Sequence, residues 1–119
     1  MKLRALRGAI TVEANEAEAI LSATTELVSE VMERNSLSPE DVVSCIFTCT
    51  DDLDAEFPAV AARRIGLSAV PLLCAREIDV PGSLPRVIRL MVHCYADGPP
   101  RHVYLREAVS LRRDLEGAQ

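Results

Sequence analysis

The run LPRVIRLMVHCY, Leu84 to Tyr95, is the longest strand candidate in the chain. Its even positions include Ile88, Leu90 and Val92; its odd positions are Pro85, Val87, Arg89, Met91 and His93. Side chains alternate across a strand, so both faces are apolar around a single arginine. A strand apolar on both faces expects cover on both. The Arg89 guanidinium is then partly withdrawn from water, and an unpaired buried charge is costly. Arg89 should therefore meet an anion. Two candidates stand open: a salt bridge to Glu77 or Asp79 within the chain, or an anionic ligand.

Outward from this strand the pattern is α+β. Residues 3–12 alternate loosely around Gly8 and read as a strand bent at the glycine. Asn15 and Glu18 have capping-box spacing. From there Ile20, Leu21, Thr24, Leu27, Val28, Val31 and Met32 recur at helical spacing, predicting an amphipathic helix to about Arg34 that Asn35 stops. Ser38-Pro39-Glu40-Asp41 is a second helix start, and a short one. Val42 to Cys49 and Val70 to Ala75 are β-rich runs. Between them lie the acidic loop of Asp51, Asp52 and Asp54, and a helix opened by Pro58 and closed by Gly66. Asp97-Gly98-Pro99-Pro100 is a turn, and His102, Val103 and Tyr104 form a last short strand. The expected architecture is a mixed β-sheet packed with one long amphipathic helix and shorter helices.

The chain has 119 residues, 49% hydrophobic and 26% charged, which fits one globular domain spanning residues 1–119. The longest apolar stretch, Ala69 to Ala75, is far below a membrane span. MKLRALR has charges where a secretory core would need apolar residues, so no signal peptide and a cytoplasmic location are expected. The net charge is −5 and only 3% of residues are aromatic, which argues against nucleic-acid binding. The charge is unevenly spread: +3 over residues 1–12, −11 over 13–56, and +3 over 57–119. Twelve of the thirteen basic residues are Arg, the side chain that grips carboxylates through a planar fork.

Chemistry that needs a metal or a nucleophile finds no support in these residues. Cys45, Cys49, Cys74 and Cys94 include no C-x-x-C, and His93 and His102 have no ligand-like spacing. In a reducing compartment the default is buried, apolar cysteine. No triad, phosphate loop or dinucleotide fingerprint occurs. Glu77, just past the Val70–Ala75 run, can serve as acid, base or hydrogen-bond partner, or simply face solvent. Arg7 precedes Gly8, where a backbone can approach closely, or is an ordinary surface arginine. Tyr104 reads as a core residue with a wet hydroxyl or as a ligand contact. Spacing alone leaves an arginine-rich site for a small carboxylate.

RGAITVE (Arg7 to Glu13), SPEDVVSCIFTCTDDLDAEFPAVAAR (Ser38 to Arg63), VPLLCAREIDVPGSLPRVIRLMV (Val70 to Val92) and RHVYLREAVSLRRDL (Arg101 to Leu115) resemble the AroH class of monofunctional chorismate mutases. The C-x-x-E-x-D-V-x-G-x-L-x-x-x-I-R arrangement from Cys74 to Arg89 is the most specific part. The resemblance implies a homotrimer with a pseudo-α/β-barrel arrangement, the bacillus chorismate mutase-like fold, with active sites in clefts between subunits. It implies an isomerase of aromatic amino acid biosynthesis, on the shikimate pathway, that rearranges chorismate to prephenate without cofactor or metal. Nucleic acid and membrane are not expected partners.

Residue by residue, the resemblance implies that Arg89 donates to the ether oxygen and a substrate carboxylate, and that Arg7 binds the enolpyruvyl carboxylate with help from Tyr104. Glu77 and the Cys74 thiol meet the ring hydroxyl. Phe57, Ala59, Leu73 and Leu111 line the cleft, with Arg63 and Arg112 near its mouth. Val60 and Leu73 stand where basic and polar residues are common, so the rim is more apolar here. Two other readings compete: a non-catalytic trimeric module binding a small carboxylate, and a Rid-like trimeric imine deaminase, whose site also uses an arginine between subunits.

Overall fold

Residues 1–112 are described by a computed structural model of the chain. The first strand, β1 (Lys2–Thr11), runs through Gly8 in unbroken register with its neighbour, so the expected bend is absent. The glycine serves packing instead. A Cβ there would meet Leu90 Cδ1 at 3.1 Å and Leu27 Cδ1 at 3.2 Å, so its absence lets helix and sheet close up.

The long helix α1 (Ala17–Arg34) buries Ile20, Leu21, Ala23, Thr24, Leu27, Val28 and Val31 along one stripe. The Thr24 hydroxyl donates to the Ile20 carbonyl at 2.7 Å, which satisfies it inside the core. Asn15 does not cap α1. Glu16 takes the N-cap position without a side-chain bond, while Asn15 Oδ1 accepts the backbone N–H groups of Asp54 and Ala55. Its Nδ2 donates to Asp54 Oδ1 at 2.7 Å, tying the start of α1 to the acidic loop.

The short second start is a 3-10 turn, Pro39–Asp41, with a complete capping box between Ser38 and Asp41. It leads into β2 (Val42–Cys49). The helix α2 (Pro58–Ala62) passes into a wider turn over residues 63–67, closed where Gly66 takes φ +114°. Then come β3 (Leu72–Arg76), β4 (Val87–Ala96) and β5 (Val103–Leu105), followed by a 3-10 helix, Arg106–Ser110. The strand expected from Leu84 begins only at Val87. Arg86 before it has φ +50°, its backbone N–H is held by the Asp52 carboxylate, and its Nε donates to the Val12 carbonyl.

One five-stranded mixed sheet results, in the order β3-β2-β4-β1-β5. β4 is its centre, antiparallel to both β1 and β2, while β3 joins β2 and β5 joins β1 in parallel. The even residues of β4, Ile88 to Ala96, are all buried and face the core under α1. The odd side is different. Arg89, Met91 and His93 are only half-buried and Tyr95 is exposed, so within one chain most of the second face has no cover. At one end a smaller cluster of Ala9, Val87 and Ala108, joined by Tyr104 and Leu111, seats the C-terminal 3-10 helix on that face.

Candidate active site

Arg89 sits on the open face at the middle of the sheet, level with Ala9 on β1 and Thr48 on β2. Its Nε lies 2.7 Å from Glu77 Oε1. The N–H is not aimed along that contact, so this is an ion pair rather than a directed hydrogen bond. Thr48 Oγ1 donates to the same carboxylate oxygen at 2.8 Å and holds Glu77 from below. Asp79, the other internal candidate, makes no ion pair with Arg89 and lines, with Glu77, a cavity of about 200 Å³ among the loop residues 77–85. The Arg89 side chain is 43% exposed although its Nε is buried, so the exposure belongs to the outer part of the fork. The internal ion pair thus engages only the Nε side of a five-donor group.

On the same face, Ala9 is level with Tyr104 on β5, and Arg7 lies two residues back along β1. Arg7, Tyr104 and Arg112 line a broad groove of about 1080 Å³, with Arg34, Arg101 and His102 on its other walls. The Arg7 backbone N–H donates to His102 Nδ1 at 3.0 Å. That contact requires an unprotonated Nδ1, and burial followed by the nearby Arg7 charge holds the imidazole below its ordinary pKa. Leu111 packs at the edge of this region with Ala9, Val87 and Ala108.

Cys74 and Phe57 lie elsewhere. They line a cavity of about 340 Å³ beside the acidic loop and the start of α2. Leu73 and Phe57 are exposed, 59% and 63%, and Arg63 stands exposed after α2. Ala59 is buried in the main core, where α2 packs against the rest. Pro58 starts α2 so that Ala59 and Ala62, three apart, point inward together. One chain therefore places Arg7 and Tyr104 on the groove and the Arg89–Glu77 pair on the open face beside it, with Phe57 and Cys74 on another cavity.

All four cysteines are free thiols. Burial, then Cys74, pushes Cys45 up to about 12; burial, then Cys74 and Glu77, does the same for Cys49. Burial, then Asp41, raises Cys94. These thiols stay protonated at neutral pH and act as apolar packing. Among the described residues no group of three or more His, Cys, Asp or Glu is arranged to hold a metal ion, and no helix is long and apolar enough to cross a membrane.

Thr48, His102 and Arg106 carried no expected role at the site, yet each makes a specific contact there or nearby. Arg106, at φ +55°, donates Nη1 to the Thr11 carbonyl and Nη2 to Glu26, which pins the C-terminal segment to β1 and α1. These partners are far away in sequence, so no local motif announces them. Arg76 and Arg86, which carried no expected role, are tied to Asp51 and Val12 respectively.

The family model for chorismate mutase type I matches residues 3–115. The chain belongs to the type I chorismate mutase family. The last three residues of that match lie outside the described residues. Chorismate mutase AroH of Thermus thermophilus is 56% identical over 121 residues, covering 98% of this chain and 99% of the relative. Chorismate mutase AroH of Bacillus subtilis (strain 168) is 44% identical over 119 residues, covering 97% and 94%. A chorismate mutase structure from Clostridium thermocellum superimposes with a TM-score of 0.88 at 47% identity, over 90% of this chain and 98% of that one. Matches of this length and identity favour the mutase over both the carboxylate-binding module and the imine deaminase, and make the protein an enzyme of aromatic amino acid biosynthesis.

Proposed function

We propose that this chorismate mutase converts chorismate to prephenate in a cleft built by two chains of a homotrimer, by holding the substrate and stabilising its charge. One observation carries the two-chain part: the expected site residues fall in two separate regions of a single chain. Arg7, Arg89, Glu77 and Tyr104 occupy the open sheet face and its adjoining groove, whereas Phe57 and Cys74 line another cavity. A site using both sets takes the first from one subunit and the second, with Leu73 and Arg63, from its neighbour. The uncovered face supports this, because Leu3, Leu73 and Tyr95 are exposed where a second subunit would bury them. The resulting trimer has the pseudo-α/β-barrel arrangement of the family and works in the cytoplasm.

The chemistry suits these side chains. The rearrangement breaks the ether C–O bond and forms a C–C bond in one step, with no proton transferred and no covalent intermediate. What the protein supplies is restriction of a flexible dicarboxylate to a compact chair-like conformer, and charge where charge develops. The ether oxygen becomes partly negative, and Arg89 donates to it and to a carboxylate. Arg7 binds the enolpyruvyl carboxylate beside Tyr104, with Leu111 packing alongside. The ring becomes partly positive, and Glu77 lies on its side with the Cys74 thiol at the ring hydroxyl. Arg63 and Arg112 stand near the mouth and guide the ring carboxylate. Val60 and Leu73 leave the rim apolar.

The purified protein, with no metal added, should remove chorismate ultraviolet absorbance and yield prephenate. Intact trimers that leave the absorbance unchanged would defeat the proposal.

A further inference from the structure

The proposed site leaves His102 without a task, yet its ring makes a specific contact with the backbone of a substrate-binding residue. We propose that His102 is a positioning residue for Arg7, fixing β1 at the point where the Arg7 side chain must project. The inference rests on the reading of Arg7 as a carboxylate ligand. The β1–β5 ladder pairs Gly8 with Val103, Ala9 with Tyr104 and Ile10 with Leu105, and no β5 residue pairs with Arg7. On its other side Arg7 is matched by Met91 of β4. At this end of the ladder the His102 ring stands in for a strand, and its Nδ1 accepts the Arg7 N–H at 3.0 Å. A neutral ring accepting at Nδ1 carries its proton on Nε2.

The backbone leading into His102 is held. Asn35, at the end of α1, donates to the Arg101 carbonyl at 2.9 Å and accepts the Arg101 N–H at 2.8 Å. It also donates to the Val31 carbonyl, so the helix end, the residue before His102 and β1 form one connected support. The groups facing the ring across the groove are Arg7 from β1, Arg34 from α1, Arg101 beside it, Tyr104 from β5 and Arg112 from the C-terminal segment. Among the described residues no carboxylate lines the groove, and Arg34 is paired with Glu30. Protonation would therefore place a fifth cation among four arginines and turn the acceptor into a donor aimed at an N–H. Both effects favour the neutral ring, in the same direction as its lowered pKa.

The test is steady-state kinetics of the wild type, His102→Asn and His102→Leu from about pH 5 to 8. Asn places an amide oxygen where Nδ1 stood and does not titrate; Leu removes the acceptor. At neutral pH, His102→Leu should raise KM roughly fivefold, the scale of one lost hydrogen bond, with kcat changed less. His102→Asn should keep KM near the wild-type value. Wild-type kcat/KM should fall in acid below the ordinary histidine range, and His102→Asn should lack that fall. Equal loss in both variants, or persistence of the acid fall in His102→Asn, overturns the assignment. Should His102→Leu fail to fold, the His102→Asn pH profile decides alone. Arg7→Ala separates the two levels: an unchanged KM there overturns the reading of Arg7, whereas a large effect with a silent His102→Leu overturns only the role of His102.

Discussion

Arg89 is oriented by the chain itself: its Nε sits against Glu77, and Thr48 holds Glu77 in turn. A donor fixed in advance does not have to reorganise as the ether bond breaks, which is where electrostatic catalysis gains most. Alternation along β4 was enough to single out Arg89 from the sequence. The choice between an internal partner and a ligand was not legible there. A guanidinium has donors for both, and the half-exposed fork leaves room for the second. The proposed role predicts that Arg89→Ala lowers kcat by about 10²–10³, or ~3–4 kcal/mol, the cost of one oxyanion donor. Arg89→Lys should recover little, because a point charge cannot keep the Glu77 contact and also span two substrate oxygens. Thermal melting should move little in either variant, since a partly exposed ion pair contributes little to stability. A loss of kcat below tenfold in Arg89→Ala would mean that charge at the ether oxygen is handled elsewhere.

At the scale of elements, what was legible was local. Ser38 and Asp41 close a capping box three residues apart, Pro58 starts α2, and Gly66 ends its turn at a positive φ. Periodicity alone placed α1 and β4, because burial of a stripe or a face writes itself into the spacing of apolar residues. Signals with distant partners were misread. Asn15 has the spacing of a cap, but its oxygen is taken by two N–H groups of the acidic loop, and α1 starts without a side-chain cap. Gly8 reads as a bend and is a contact point for Leu27 and Leu90. The Asn15 arrangement predicts that Asn15→Ala lowers the unfolding free energy by about 1–2 kcal/mol, since two backbone donors lose one acceptor. Denaturant unfolding measures this. An effect of only a few tenths, the size expected of a surface residue, would show that water replaces the side chain there.

For the whole molecule, the sheet presents two unequal faces. One carries the core under α1, and the other joins Arg89 and Glu77 to apolar side chains that no part of the described chain covers. Strand alternation foretold apolar residues on both sides of β4; it did not say that the described residues leave most of one side uncovered, nor that Ala59 lies in the core. Nor does spacing within one chain reveal that Phe57 and Cys74 sit in a different cavity from Arg7 and Tyr104. If each cleft draws on two subunits, two defective chains can repair one another. Arg89→Ala spoils the first half-site and leaves the second intact. Arg63→Glu, at an exposed position, reverses charge in the second half-site and leaves the first intact. Each variant alone should be poorly active. Unfolded together in equal amounts and refolded, random mixing places an intact first half against an intact second half in about a quarter of the clefts, and activity should rise towards that fraction of the wild-type value. Clefts contained within single chains would leave the mixture no more active than the average of its two components.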